Sequence, residues 1–228
     1  AYLSCSAAVA DDFARQVGGP PVCVLFNPID TQRFGSRADL RRQCRAELGL
    51  ADGRPVLLTV ARFVPDKGHG FLISAAKEVL RVFPNAVFLL VGDGPSRAQA
   101  QELAASCGGA IRFLWAQGDV SPYLNACDVY VQPSINREGL GVAVLEAMAC
   151  GKPVIATKTE GFFESVAEAG KLVTPADAAA LAGAILELLK NARLREDWGQ
   201  RARERVTRHF STLEAAQKLK EIYGRWAP

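Results

Sequence analysis

Two glutamates stand eight residues apart in the stretch REGLGVAVLEAMACGKPVIAT, residues 137–157, which is otherwise almost wholly apolar. Glu138 precedes a helix predicted from about Leu140, and Glu146 lies inside that helix. A buried carboxylate without hydrogen-bond donors would cost several kcal/mol, and the hydroxyls of a sugar or ribose would supply such donors. Glu146 is therefore a candidate ligand-binding residue. A solvent-facing helix and a structural ion pair are the open alternatives.

The glycines that follow Glu138 give a second indication of ligand binding. Gly139 and Gly141 flank Leu140 and would let the backbone approach a ligand closely. Free N–H groups at the start of the next helix favour an anion at the same place. Glu138, in the loop before that helix, could reach the reacting end of the ligand.

A third group of candidate residues lies far earlier in the chain, in the segment ARFVPDKGHG. Arg62 and Lys67 occupy the loop that leaves a predicted strand, just before the N-terminus of a predicted helix. Helix N-termini attract anions, so two cations beside one would form a diphosphate clamp. Two solvated surface charges, or a pair between Arg62 and Asp66, are the alternatives for this segment.

Several other kinds of site are disfavoured by their missing residues. Gly92 and Gly94 form a Gly-x-Gly pair, but Arg97 stands where a dinucleotide site has its third glycine. The sequence contains no P-loop, no Gly-x-Ser-x-Gly elbow and only two histidines, which argues against a Ser-His-Asp or histidine-rich metal site. It also contains no Asp-x-Asp pair, so no metal is expected to hold a diphosphate.

The composition is that of an ordinary globular protein without a nucleic-acid partner. The net charge is only +3, and its excess arginines concentrate in residues 193–208, where a solvated helix face is favoured over contact with an anionic partner or a membrane surface. The six cysteines form no Cys-x-x-Cys motif, which predicts free thiols and a cytoplasmic location. No apolar run is long enough to span a membrane. Peripheral membrane contact by the basic helices is left open.

The elements that must position these residues alternate between short buried strands and helices. The predicted strands are PVLLTVARF, NAVFLLVGDGP, AIRFLW, DVYVQPS, KPVIAT and AGKLVTP. This alternation predicts an α/β fold, a parallel sheet with helices on both faces. Ligands bind at the carboxyl ends of such strands, which selects the loops at 62–68, 92–95, 116–120, 134–141 and 157–161.

Taken together, these segments resemble the retaining GT-B glycosyltransferases of the family 4 type. EGLGVAVLEAMACGKPVIAT is similar to that family's E-x7-E segment, VARFVPDKGHGFLISAAKEV to its Arg…Lys-Gly segment, and FNPIDTQRF to its interdomain linker. The similarity runs from about Val24 to Val173. Two departures stand out: Trp115 replaces a frequent glycine, and Glu160 stands where a glycine often approaches the donor.

The resemblance implies a Rossmann-like donor domain over residues 35–211, the C-terminal half of a GT-B fold. Residues 1–34 would be the remnant of an N-terminal acceptor domain and its linker, and residues 212–228 a C-terminal helix. A chain lacking most of the acceptor domain would bind a UDP-, GDP- or ADP-sugar but transfer hexose poorly alone. A non-catalytic nucleotide-sugar module and a dinucleotide-dependent oxidoreductase are the competing hypotheses.

By the same resemblance, each candidate residue acquires a role. Arg62 and Lys67 would contact the diphosphate, Glu146 the ribose and Glu138 the donor sugar. The backbone from Gly139 through Leu140 to Gly141 would line the sugar-phosphate, while the glycine turn of Gly92 and Gly94 and the loop from Ala116 to Val120 would line the nucleotide. No metal or other cofactor would be required.

Overall fold

The computed structural model describes residues 2–17, 19 and 22–226. Two strands near the start, β1 (Tyr2–Ser4) and β2 (Val22–Val24), form a small parallel pair. The other six strands form one parallel sheet in the order β5-β4-β3-β6-β7-β8. Their bounds are β3 (Val56–Val60), β4 (Val87–Val91), β5 (Ile111–Leu114), β6 (Val129–Gln132), β7 (Val154–Thr157) and β8 (Lys171–Val173).

The order of the strands reverses between β3 and β6, which pair with Leu57 opposite Val129. The chain adds β4 and β5 on one side of β3, then returns to place β6, β7 and β8 on the other. Such a reversal opens a crevice at the carboxyl ends of the two central strands, where α/β proteins bind ligands. The loops after β3 and β6, at 62–68 and 134–141, therefore meet at the same place.

Helices cover both faces of the sheet, which confirms the predicted Rossmann-like α/β class. One core packs apolar side chains of α6 and α9, such as Val144 and Val206, and the other packs those of α3 and α8, such as Leu72 and Ile185. The helices are α1 (Ala7–Val17), α2 (Ala38–Glu47), α3 (His69–Val82), α4 (Arg97–Ala104), α5 (Ser121–Ala126), α6 (Val142–Ala149), α7 (Glu160–Ser165), α8 (Ala178–Lys190), α9 (Ala192–His209) and α10 (Thr212–Trp226). Short 3-10 turns occupy Pro65–Lys67 and Ala105–Ala110.

Helix α2 was not predicted from the sequence, because ADLRRQCRAE carries too few apolar residues to show a helical stripe. On the buried face of this helix, the guanidinium of Arg45 occupies a position where an apolar side chain would be expected. Arg45 is only 2% exposed, and its Nη atoms donate to the carbonyls of Ala126 at 3.0 Å, Ala51 at 2.8 Å and Arg54 at 2.6 Å. A buried arginine that satisfies backbone carbonyls is invisible to a hydrophobicity pattern.

The predicted linker packs against the sheet domain. Ile29 and Phe34 of the predicted linker are buried in the α6/α9 core, and the Ile29 N–H donates to the carbonyl of Phe210 at 2.7 Å. The domain boundaries at 34 and 211 remain predictions. The predicted Gly-Pro break at 18–21 lies, apart from Gly19, outside the described residues. Within the described residues, none of the helices combines the length and the apolar composition needed to span a bilayer.

Candidate functional site

The loops after β3 and β6 are joined at the switch point by backbone and side-chain contacts. The Ile135 N–H donates to the carbonyl of Asp66 at 2.8 Å, and Asn136 Nδ2 donates to Asp66 Oδ1 at 2.6 Å. Gly68, at φ 66°, allows the close approach, since a Cβ there would lie 1.9 Å from the Pro133 carbonyl oxygen. Asp66 therefore pairs with Asn136, and the alternative in which it pairs with Arg62 is wrong for this structure.

This junction brings Lys67 and Glu138 into direct contact. Lys67 Nζ donates to Glu138 Oε1 at 2.5 Å, with the two side chains only 20% and 12% exposed. Ser134 Oγ donates to the same oxygen at 2.5 Å, while Oε2 has no partner among the described residues. Lys67 is thus not a solvated surface charge. Glu138 keeps one carboxylate oxygen available to a ligand.

A buried polar chain that the sequence analysis missed supports Glu138 from below. Tyr130 donates its hydroxyl to Gln132 Oε1 at 2.9 Å, and Gln132 Nε2 donates to Ser134 Oγ at 3.1 Å. Thr157 Oγ1 fixes the same turn by donating to the Ser134 carbonyl at 2.5 Å. The sequence feature that could have predicted this polar chain is the spacing of Tyr130, Gln132 and Ser134, because residues two apart in a strand share one face.

A separate cleft of about 380 Å³ lies between the loops that follow β3, β4 and β5. Four of the predicted site residues line it, namely Arg62, Gly92, Ala116 and Val120. Arg62 is exposed and forms no ion pair or side-chain hydrogen bond with the described part of the chain. This leaves its guanidinium available to an anion entering the cleft.

The two glycines of the turn after β4 allow that turn to pack closely against the backbone that follows β3. A Cβ at Gly92 would lie 2.0 Å from the Ala61 carbonyl oxygen, and one at Gly94 would lie 2.4 Å from that of Phe63. Gly92 lines the cleft, but Gly94 does not and instead packs against the β3 loop. Trp115 also does not line the cleft. The Arg97 guanidinium stacks on its indole ring, 4.1 Å from the ring centre.

The Gly139–Gly141 turn starts α6 and sets the position of Glu146. Gly141, at φ 77°, caps the helix, and a Cβ there would lie 2.4 Å from Phe162 Cε1. Leu140 is only 3% exposed, so its side chain belongs to the core and only its backbone can face a ligand. Gly139 remains partly exposed beside Glu138.

Glu146 is partly buried, and its carboxylate forms no hydrogen bond or ion pair within residues 22–226 or the described start of the chain. Burial raises the pKa of this carboxyl to about 7, which Arg33 opposes and Asp119 reinforces. Arg33 Nη2 bonds Asp119 Oδ1 at 3.2 Å, at the edge of the 116–120 loop. The structural ion pair and the solvent-facing helix are therefore both wrong as accounts of Glu146. Its carboxylate is left without a donor among the described residues.

Helix α7 connects the glutamate loop to the start of the chain. Glu164 accepts the N–H groups of Ala7 at 2.8 Å and Ala8 at 2.9 Å and so caps α1. Arg137 bonds Asp12 at 3.1 Å and also pairs with Glu160, the residue that replaces a frequent glycine. Segment 2–17 is thereby fixed against the loop that carries Glu138.

Comparison with known proteins identifies what these features resemble. The family model described as glycosyl transferases group 1 matches residues 41–205. The GDP-mannose-dependent alpha-(1-6)-phosphatidylinositol monomannoside mannosyltransferase of Mycolicibacterium smegmatis is 32% identical over 218 residues, 90% of this chain and 57% of that protein. The lipopolysaccharide core biosynthesis glycosyltransferase LpsE of Rhizobium meliloti is 36% identical over 171 residues, 73% of this chain and 49% of that protein.

Solved structures give the same result at the level of the fold. Anabaena Alr3699/HepE, solved in complex with UDP-glucose, superposes with a TM-score of 0.88 at 26% identity, covering 98% of this chain and 63% of that one. A glycosyltransferase from Rickettsia africae superposes with a TM-score of 0.89 at 23% identity, covering 98% and 62%. The chain thus spans about half to three fifths of the length of these relatives.

Proposed function

Because this chain belongs to the glycosyl transferases group 1 family, we propose that it is the part of a retaining, nucleotide-sugar-dependent hexosyltransferase that binds the donor. In this proposal Arg62 and Lys67 bind the diphosphate and Glu146 the ribose hydroxyls. The loop from Ala116 to Val120 encloses the base, and Glu138 faces the donor sugar.

The observation that carries the proposal is the contact between Lys67 and Glu138 at the switch point of the sheet. It brings a cation and a carboxylate, 71 residues apart in sequence, into one partly buried pair. A nucleotide-sugar needs both charges at one place, the cation for its phosphate and the carboxylate for a sugar hydroxyl. The unpaired Arg62 lines the adjoining cleft, where a nucleoside would extend. Glu146 is influenced by the charge of Asp119, which belongs to the 116–120 loop that also lines this cleft.

The chemistry follows from where charge develops. When the bond between the sugar and the phosphate breaks, negative charge accumulates on the departing nucleoside diphosphate. Fixed positive groups aimed at that charge lower the barrier, because they need no reorganisation as the reaction proceeds. Lys67 is held in place by Glu138, and Arg62 is free to meet the diphosphate from the cleft. Glu138 Oε2 remains available for a donor-sugar hydroxyl.

The proposal assigns the neutralisation of the diphosphate to Arg62 and Lys67, and it needs no metal ion for that role. The mannosyltransferase relatives make GDP-mannose the first donor to test, with UDP- and ADP-sugars following. In this proposal a separate acceptor domain lies outside the chain, and the six free thiols favour a cytoplasmic location.

Calorimetry with GDP, UDP and ADP tests the proposal directly. At least one of the three is expected to bind, and no binding by any of them at millimolar concentration would refute it. Lys67→Ala should weaken nucleoside diphosphate binding strongly while leaving nucleoside binding nearly unchanged. Lys77→Ala, an exposed lysine on α3, is the matched control. Equal losses for diphosphate and nucleoside would contradict the clamp.

Two further measurements separate the competing hypotheses. NAD(P) binding tighter than that of every nucleoside diphosphate would favour the oxidoreductase. In a protein that also contains the acceptor domain, Glu138→Ala is expected to abolish turnover and retain nucleotide binding. Wild-type turnover by that variant would instead favour a non-catalytic role for Glu138.

A further inference from the structure

A second cavity, larger than the nucleotide cleft, opens beside the Lys67–Glu138 pair. It measures about 650 Å³ and is lined by the residues next to that pair, Asp66 and Arg137, and by the β7 loop and α7. Pro175, which precedes α8, also lines this cavity, whereas Glu146 and the other residues of α6 do not. We name it the β7 bowl.

The charges of the β7 bowl balance. Asp66 and Glu160 contribute two carboxylates, and Arg137 and Lys158 contribute two cations. Three of the four are already engaged, because Asp66 accepts from Asn136 and Arg137 pairs with Glu160. A bowl of zero net charge gives a phosphate little electrostatic preference over water. Its mixture of donors and acceptors suits a neutral ligand that both donates and accepts hydrogen bonds.

Two features of the β7 bowl lack a partner within the described chain. Phe163 is 53% exposed, although large apolar side chains are usually covered. Thr159 is only 7% exposed, yet its Oγ1 has no hydrogen-bond partner among the described residues and does not cap α7. The Thr159 hydroxyl is enclosed by the protein, so Phe163 is the feature that a ligand in the bowl would meet directly.

We propose that the β7 bowl is a subsite for a sugar ring of the acceptor. A sugar presents an apolar face of C–H groups, which would lie against the Phe163 ring, and a rim of hydroxyls, which would meet Asn136, Glu160 and Lys158. The bowl shares its two central loops with Lys67 and Glu138, so a sugar there lies next to the donor position. This inference rests on the proposed function, because only a transferase requires an acceptor beside its donor.

The experiment follows amide resonances of the labelled 228-residue chain by NMR during titration with methyl α-D-mannopyranoside. Saturable shifts are expected in residues 135–137 and 158–163. Phe163→Ala should weaken binding about fivefold, since stacking on an aromatic ring contributes about 1 kcal/mol. Tyr223→Ala removes a still more exposed aromatic from α10 and should change nothing. Shifts that do not saturate, or that survive Phe163→Ala unchanged, overturn the subsite.

Two additional arms keep the result decisive. Inorganic phosphate should leave these resonances unmoved, and shifts with phosphate but not with sugar would identify an anion site instead. Phe163→Trp retains an aromatic ring at this position and adds a fluorescent reporter. Adding sugar should change the tryptophan emission of this variant more than that of the parent chain, which tests the subsite even if the alanine variant misfolds. No change would overturn the subsite. A GDP titration of the same sample keeps the two proposals apart, since GDP binding without sugar binding refutes only the subsite.

Discussion

Replacing Glu146 by glutamine tests the account of this residue because it should have opposite effects on stability and on binding. Burial raises the pKa of the Glu146 carboxyl from its ordinary value of 4.5 to about 7. The ionised side chain is therefore destabilising in the free protein. Each pKa unit corresponds to about 1.4 kcal/mol, which gives about 3 kcal/mol before screening. Because the side chain is only partly buried, solvent screening reduces this to about 1–2 kcal/mol.

The pH dependence has a defined sign. Below about pH 4.5 the carboxyl is protonated in both folded and unfolded chains, so Glu146→Gln should leave the free energy of unfolding nearly unchanged. As pH rises from about 4.5 to about 7, the unfolded chain loses the proton first and the native chain loses stability relative to the variant. Above pH 7 the variant should keep its full advantage of about 1–2 kcal/mol.

Urea unfolding of both chains at several pH values between 4 and 8 measures this difference directly. Glu102→Gln, an exposed glutamate on α4, is the matched control and should show no comparable rise. Nucleoside diphosphate binding at pH 8 should weaken about tenfold in Glu146→Gln, because hydrogen bonds to a charged acceptor are stronger than those to an amide. A stability difference that does not change with pH, or unaltered binding, would refute the reasoning.

Four other substitutions test the supporting structure. In thermal unfolding, Gly68→Ala should destabilise the chain by about 2 kcal/mol or more, because its Cβ would meet the Pro133 carbonyl. The control Gly183→Ala, in α8, would place a Cβ with no atom within 4 Å and should stabilise the chain by about 0.5–1 kcal/mol in the same assay. Asp177→Ala removes the N-cap of α8 and should cost about 1 kcal/mol by urea unfolding; no loss would contradict the cap. Glu164→Gln weakens the cap of α1 and should speed proteolysis within residues 2–17, while unchanged cleavage would show that the cap does not hold this segment.

Much of the fold was predictable because its signals are local. Short runs of β-branched and leucine side chains predicted all six strands of the main sheet. Helix α2 was missed because Arg45 takes a core position by bonding backbone carbonyls, which no apolar periodicity reports.

The candidate site was predictable as a set of loops but not as a set of contacts. The carboxyl-end rule selected Arg62, Lys67 and Glu138, and the resemblance gave them roles that stay predictions. The sequence did not show that Lys67 bonds Glu138 or that Gly94 lies away from the cleft. Nor did it show that Glu164, from α7, caps the first helix.

The sequence by itself determined the alternation of elements, the family and the two glutamates, because each depends on neighbouring residues or on a motif of fixed spacing. Tertiary structure decided which loops meet. Strand β6 returns beside β3, so residues 71 positions apart come within 2.5 Å, and the same return shapes the β7 bowl. Strand order is set by how whole faces of the sheet and its helices are buried. A local pattern therefore marks Glu146 as unusual, but only packing shows that burial raises its pKa and leaves its carboxylate without a donor.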